Sequence, residues 1–391
     1  MVYLNQLGMI CALGDTHAGI SRRLFAGHSG VAMTRRHSPE RELALGCVDA
    51  VLPDIESLPL HHRSRNNQLA LAALAQIRPQ VDAAIQRFGA HRVAIVLGTS
   101  TSGIAQTEAA FRYRRANGGF PADFSYAQQE MASPAAMLAA ELGVSGPAYV
   151  HSSACASSSK AMASAARLLN MGICDAVLSG GVDSLCAFTV AGFAALESVS
   201  AVRCNPFSAN RNGINIGEGA ALFLMTRAEA TVGLRGWGES SDGYHISAPD
   251  PSGNGARSAI EQALARAGLA PVQCDYINLH GTATVQNDAM EGRVIAALFG
   301  DQVALSSTKP FTGHALGAAG AVEAGLCWLA MQDSNPQGCL PPHLWDGMAD
   351  AQLPQLNLQP PGARLGRPLR WALSNSFAFG GANASLLLGR E

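Results

Sequence analysis

The chain has 391 residues, 48% of them hydrophobic and only 14% charged, with a formal net charge of −2. That length exceeds one ordinary core and predicts two domains or one double-layered unit, and the composition excludes a disordered chain. The near-neutral charge excludes a broad nucleic-acid footprint, and no apolar run is long enough to span a membrane.

The N-terminal MVYLNQLGMICALGD has no basic lead and no small-residue cleavage site, so it reads as a strand and turn. Strand-like runs follow at 93–97, 148–152, 176–179 and 276–279, each leading into a helical pattern. Ala-rich helices are predicted over 68–76, 160–171 and 255–267. Alternating β and α elements give an α/β fold. NIGEGAALFLMTR at 215–227 is echoed by FGGANASLLLGR at 379–390. This long period predicts two similar halves, 1–230 and 231–391. Nine cysteines lie scattered without CxxC spacing, which argues for reduced thiols and a cytoplasmic setting.

In AYVHSSACASSSK (148–160) an apolar strand runs through small residues into Cys155 and then a helix-compatible stretch. A cysteine at a helix N-terminus meets unpaired N–H groups and a dipole that favour thiolate, the form that attacks a thioester. By base rate a given cysteine is a buried small hydrophobe, so the cysteine alone decides nothing. DYINLHGTATVQND (275–288) ends an apolar strand at His280, and SSTKPFTGHALGAAGAVE (306–323) carries Lys309, His314 and Glu323 around a Gly-flanked turn. Two neutral imidazole donors aimed at one oxygen suit an enolate better than they suit peptide hydrolysis. No HxxxH or CxxC cluster is present, so a metal centre is not expected. SNSFAFGGANAS (374–385) places a glycine pair beside Phe379, whose backbone N–H with that of Cys155 would form an oxyanion hole.

Together these segments, with SGGVDSL (179–185), NGINIGEGAA (212–221) and SSDGYHISAP (240–249), resemble the elongating β-ketoacyl-acyl carrier protein synthases over nearly the whole chain. The resemblance implies a thiolase-like five-layered αβαβα fold made of two similar halves. It makes Cys155 the acylated nucleophile and sets His280 and His314 on the malonyl thioester. Lys309 and Glu323 become an ionic support for the second histidine, and Asp288 a support behind the first. It matches Ser247, Thr282 and Thr284 to the phosphopantetheine arm, and Phe193 and Phe379 to gating aromatics. It places Thr107 beside the deep end of the acyl pocket, although a hydroxyl there could equally cap a helix.

No tightly bound cofactor is implied, because the arm arrives on acyl carrier protein. The expected assembly is a homodimer or a heterodimer with a second ketosynthase-like subunit. Arg63 and Arg65 in HHRSR, or Arg112, Arg114 and Arg115, are the basic candidates for carrier docking. Ala378 replaces an expected glycine, Pro310 is expected to hold Lys309 extended, and Asn212 replaces a frequent aspartate. These departures leave room for a specialised type II polyketide or polyene pathway. The remaining readings are a chain-length-determining partner subunit and another thiolase-fold acyltransferase.

Overall fold

A computed structural model describes residues 1–390. The first half contributes β1 (Val2–Cys11), the short pair β2 (Ala32–Thr34) and β3 (Leu43–Leu45), β4 (Val93–Gly98), β5 (Ala148–His151), β6 (Ala176–Asp183) and β7 (Gly219–Thr226). The second contributes β8 (Val232–Ser241), β9 (Tyr276–Asn278), β10 (Ala304–Ser306), β11 (Trp371–Phe377) and β12 (Ala382–Arg390).

Ten of these strands lie in the order β10-β9-β11-β12-β8-β1-β7-β6-β4-β5. The order conceals a repeat. In the first half β1 is antiparallel to β7, β7 antiparallel to β6, and β6, β4 and β5 are parallel. In the second half β8, β12, β11, β9 and β10 repeat those relations one for one. Among the described residues, only the strand pairs Val2↔Leu234 and Tyr3↔Gly233 join the two sets of five. The two echoed sequence segments end in β7 and β12, which occupy the same place in their halves. The chain passes from β7 to β8 at residues 227–231.

Side-chain alternation builds the layers. On β4, Val93, Ile95 and Leu97 face an outer core with the helices Arg65–Ala75, Arg78–Phe88 and Ser133–Leu142, while Ala94 and Val96 face a central core. On β12, Leu386 and Leu388 face the same central core, and Leu387 faces the helices Asn254–Ala267 and Val285–Phe299. Helices Ser157–Asn170 and Ala319–Ala330 fill that central layer between the two sets of strands. Their small residues allow it. A Cβ on Gly98 would come within 2.2 Å of the Ser158 backbone nitrogen. The result is helix–sheet–helix–sheet–helix, the layering expected of a thiolase fold.

Candidate active site

Cys155 sits in the turn between β5 and the helix Ser157–Asn170, at the centre of the molecule. The turn is tight. Ala154 holds φ +47°, costly for a residue with a Cβ. The Ser157 hydroxyl pins it by accepting from the Ser153 N–H (2.8 Å) and donating to the Ala154 carbonyl (2.6 Å).

His280 follows β9, and two carboxylates on the next helix hold its turn. Glu291 accepts the N–H groups of both His280 and Gly281 at 2.8 Å. Asp288 accepts those of Ala283 (3.2 Å) and Phe207 (2.7 Å). Asp288 thus braces the chain beyond His280 and does not touch its ring. Gly281 is required here: its φ is +41°, and a Cβ would meet Ser307 at 2.5 Å.

His314 is held by the other half of the molecule. Its N–H donates to the Asn215 carbonyl (2.6 Å), and its carbonyl accepts from the Gly217 N–H (2.9 Å). The echoed segment of the first half therefore places a side chain of the second.

These elements bring five groups together. His314 Nε2 lies 2.9 Å from Cys155 Sγ, and the His280 and His314 rings meet edge-on with centroids 5.5 Å apart. Lys309, almost fully buried, donates to Glu323 Oε1 at 2.6 Å and reaches His280 Nδ1 at 3.4 Å. This corrects the expected support. The Lys309–Glu323 pair stands behind the first histidine, and the Nδ1 of His314 has no partner among the described residues. Pro310 does not keep Lys309 extended either. Lys309 opens the one-turn helix Lys309–Thr312, and Pro310 lies in its first turn, where a missing N–H costs nothing.

Burial dominates the electrostatics. The Cys155 thiol is pushed up to about 11 by desolvation, against the opposing pull of the Lys309 ammonium and of the Phe379 and Cys155 N–H groups. The helix N-terminus therefore does not make a resting thiolate. Desolvation, then the Lys309 charge, holds His280 and His314 well below the usual imidazole range, so both rings are neutral. With a lysine donating to its Nδ1, His280 carries its proton on Nε2. Burial raises Glu291 to about 7 and Asp288 to about 6.

Cys155, His280 and His314 also offer three metal-ligand atoms within 4.8 Å of one another. The Sγ–Nε2 separation of 2.9 Å is a hydrogen-bond length, shorter than the about 3.5 Å that two ligands on one tetrahedral zinc require.

Two cavities meet at Cys155. A cleft of about 270 Å³ is lined by Ser247, Thr282, Thr284, Phe193 and Phe379 with the two histidines. A second cavity of about 440 Å³ runs from Cys155 and Ala154 past Thr101 and Ile104 to Phe188 and Gly192. The Phe193 and Phe379 rings, 5.7 Å apart, stand between them. Phe379 is followed by Gly380 (φ +80°) and Gly381 (φ +77°), while Ala378 is extended, so its Cβ brings no strain.

Thr107 lines neither cavity and caps nothing. It lies inside the helix Ile104–Asn117, whose N-cap is Gly103, and Ile104 takes the wall position expected of it. Arg65 is committed within the chain. It makes a two-pronged ion pair with fully buried Glu218 (2.6 and 2.9 Å), which also accepts the Val48 and Leu185 N–H groups. Arg63 is half-buried, and its Nε donates to the Leu58 carbonyl. Arg112 pairs with Glu108, Arg114 stacks on Phe120, and Arg115 is exposed.

Besides Glu218, two further buried carboxylates carry no local mark in the sequence. Glu291 lies one helical turn beyond Asp288, a spacing that puts both on the face turned to His280. Asp183, at the end of β6, collects donors from Thr99, Ser100, Thr101 and Gly317 and ties the Cys155 half to the His314 turn.

Two family models, described as the N-terminal and C-terminal domains of β-ketoacyl synthase, match residues 8–230 and 232–344. The chain belongs to the β-ketoacyl synthase family. It is 32% identical to nodulation protein E of Rhizobium meliloti over 98% of both chains. It is 30% identical to 3-oxoacyl-[acyl-carrier-protein] synthase 2 of Coxiella burnetii, covering 100% of this chain and 98% of that one. A chain of the complex of a ketosynthase (ApeO) with its chain length factor (ApeC) from Xenorhabdus doucetiae superposes with a TM-score of 0.93 at 44% identity, over 100% of this chain and 98% of that one. Among the described residues of this synthase, no helix is long and apolar enough to cross a membrane.

Proposed function

We propose that this ketosynthase takes an acyl group from acyl carrier protein onto Cys155 and extends it by two carbons in a decarboxylative condensation with malonyl carrier protein. The observation that carries this reading is the contact of Cys155 Sγ with His314 Nε2, with His280 and its Lys309 support alongside.

In the first half-reaction the Cys155 proton passes to His314 Nε2 as sulfur attacks the acyl thioester. The oxyanion is received by the Cys155 and Phe379 N–H groups, and the proton leaves with the phosphopantetheine thiol. In the second, the malonyl carboxylate departs as carbon dioxide, and the enolate oxygen accepts from the imidazoles. The enolate carbon then bonds to the acyl carbon, and the Cys155 sulfur leaves as thiolate and takes up a proton from water. His280 is a fixed Nε2–H donor. No described partner fixes the tautomer of His314, which suits a ring that accepts in the first step and donates in the second.

Ser247, Thr282 and Thr284 would bind the phosphopantetheine arm in the smaller cleft, and the acyl chain would occupy the apolar second cavity. The arm arrives on the carrier, so no resident cofactor is assigned. Nine free cysteines suit a reducing, cytoplasmic setting. The similarity to a ketosynthase/chain length factor complex supports a heterodimer, and a specialised polyketide or polyene pathway, over a self-dimer in primary fatty acid synthesis. The test is intact-mass analysis with acyl carrier protein substrates. Wild type should gain one acyl group and Cys155→Ala none; equal labelling of both would reject the assignment.

A further inference from the structure

The turn that carries His280 is tied to β10 and the residue after it on both sides of the histidine. The Leu279 N–H donates to the Ser306 carbonyl (2.9 Å), and the Ser307 hydroxyl donates to the Gly281 carbonyl (2.7 Å). The same hydroxyl accepts from the N–H of Lys309 (3.4 Å), whose ammonium meets the His280 ring. Ser307 therefore places both members of the His280–Lys309 contact.

What places Ser307 is a third histidine. His343 is buried, and both of its ring nitrogens are in use. Nδ1 accepts from the Ser307 N–H (3.1 Å), and Nε2 donates to the Pro206 carbonyl (2.9 Å). Desolvation lowers its pKa to about 4, so the ring is neutral, with its proton on Nε2 and a lone pair on Nδ1. Its main chain is anchored to β10 as well: the His343 N–H donates to the Gln359 carbonyl (2.7 Å), and the Gln359 N–H donates to the Leu305 carbonyl (2.9 Å). The Pro206 bond reaches the His280 turn by a second route. Phe207, next in the chain, holds φ +61°, donates its N–H to Asp288 and lays its ring against Gly281. Only a group that accepts at one end and donates at the other can make both bonds.

We propose that His343 is a positioning residue for the decarboxylation step: its ring sets Ser307, and through Ser307 the His280–Lys309 pair. This rests on the condensing reaction proposed above and adds to it a residue that lines neither cavity at Cys155. His314 is held instead by Asn215 and Gly217, so acylation lies outside the reach of His343.

Three variants divide the two ring bonds. His343→Asn puts Oδ1 in the place of Nδ1 and keeps an acceptor for Ser307. His343→Gln puts its amide nitrogen in the place of Nε2 and keeps a donor for Pro206. His343→Phe fills the space and keeps neither. The Asn and Gln variants each leave one buried group unpaired, so their melting temperatures should fall alike. Carbon dioxide release from malonyl carrier protein should separate them. At matched folded concentration His343→Asn should stay within about threefold of wild type, while His343→Gln and His343→Phe should lose about tenfold or more, the scale of a misplaced donor. Cys155 acylation should hold near the wild-type rate in all three. Parallel loss of both steps, or equal carbon dioxide release by the Asn and Gln variants, would show that His343 only supports the fold. Nitrogen NMR of the His280 imidazole reads the same relationship without activity. The Nε2–H tautomer should dominate in wild type and His343→Asn and give way to a mixture in His343→Gln. An unchanged tautomer in His343→Gln overturns the proposal, whereas a wild type that shows the tautomer but releases no carbon dioxide overturns the condensing reaction alone.

Discussion

The Lys309 ammonium lies 3.4 Å from Nδ1 of His280 and is held there by a 2.6 Å bond to Glu323. The lysine fixes the tautomer of one histidine and leaves the other free. The two imidazoles, similar in sequence context, are thereby given different work.

Removing Lys309 should separate stability from chemistry. Lys309→Met leaves the Glu323 carboxylate buried and unpaired, which should cost about 3–5 kcal/mol. It also removes the donor that orients His280. Adding Glu323→Leu should recover most of the melting temperature. Malonyl decarboxylation should stay roughly 10²-fold low in both variants. Recovery of carbon dioxide release along with stability would show that the pair is only structural.

The two histidines should fail differently. His280→Ala should still acylate Cys155 at close to the wild-type rate but lose decarboxylation by about 10²-fold. His314→Ala should lose both, because its Nε2 is the nearest acceptor for the thiol proton. Rapid-quench intact-mass measurements and carbon dioxide release report the two steps. Equal acylation by both variants would remove His314 from the first step.

Burial pushes the resting Cys155 thiol up to about 11. Below that value each pH unit changes the thiolate fraction about tenfold. Iodoacetamide alkylation of Cys155, followed by mass, should therefore climb steadily from pH 7 towards pH 10. A plateau near neutrality would instead indicate a thiolate–imidazolium pair with His314.

Glu291 should leave a mark on stability. Burial raises its pKa from 4.5 to about 7, so the fold favours its protonated form. The folded chain holds more protons than the unfolded one across that window. The contribution is whole below pH 4.5 and is lost as pH rises to about 7, by about 3 kcal/mol at most. Asp288, raised to about 6, acts in the same direction. The unfolding free energy of wild type minus that of Glu291→Gln should fall across this range. A flat difference would mean that Glu291 is ionised throughout.

Chain length should respond to Ile104 and not to Thr107. Ile104→Phe narrows the second cavity and should depress activity on long primers while sparing short ones. Thr107→Phe overpacks a buried helix position and should lower stability by about 1–3 kcal/mol, with a flat length profile. Product lengths at matched folded concentration check both. A shifted profile from Thr107→Phe would place that residue on the chain's path.

The sequence by itself determined the alternation of strands and helices, the repeat ending in β7 and β12, and the candidacy of Cys155, His280, His314 and Lys309. These are local signals: side-chain period, small residues around a nucleophile, and histidines at the ends of apolar runs. Tertiary structure alone decided which groups touch. Lys309 turns to His280 although His314 is nearer in sequence, because β9 and β10 are adjacent and the one-turn helix after β10 points its first residue back across them. Arg65 looks like free surface charge in HHRSR, yet a carboxylate 153 positions away claims it. Thr107 has the spacing of a pocket residue, but the helix around it turns Ile104 to the cavity. The thiol's pKa was equally beyond local reading, since a helix N-terminus favours thiolate while the desolvation that outweighs it comes from layers supplied by the whole chain.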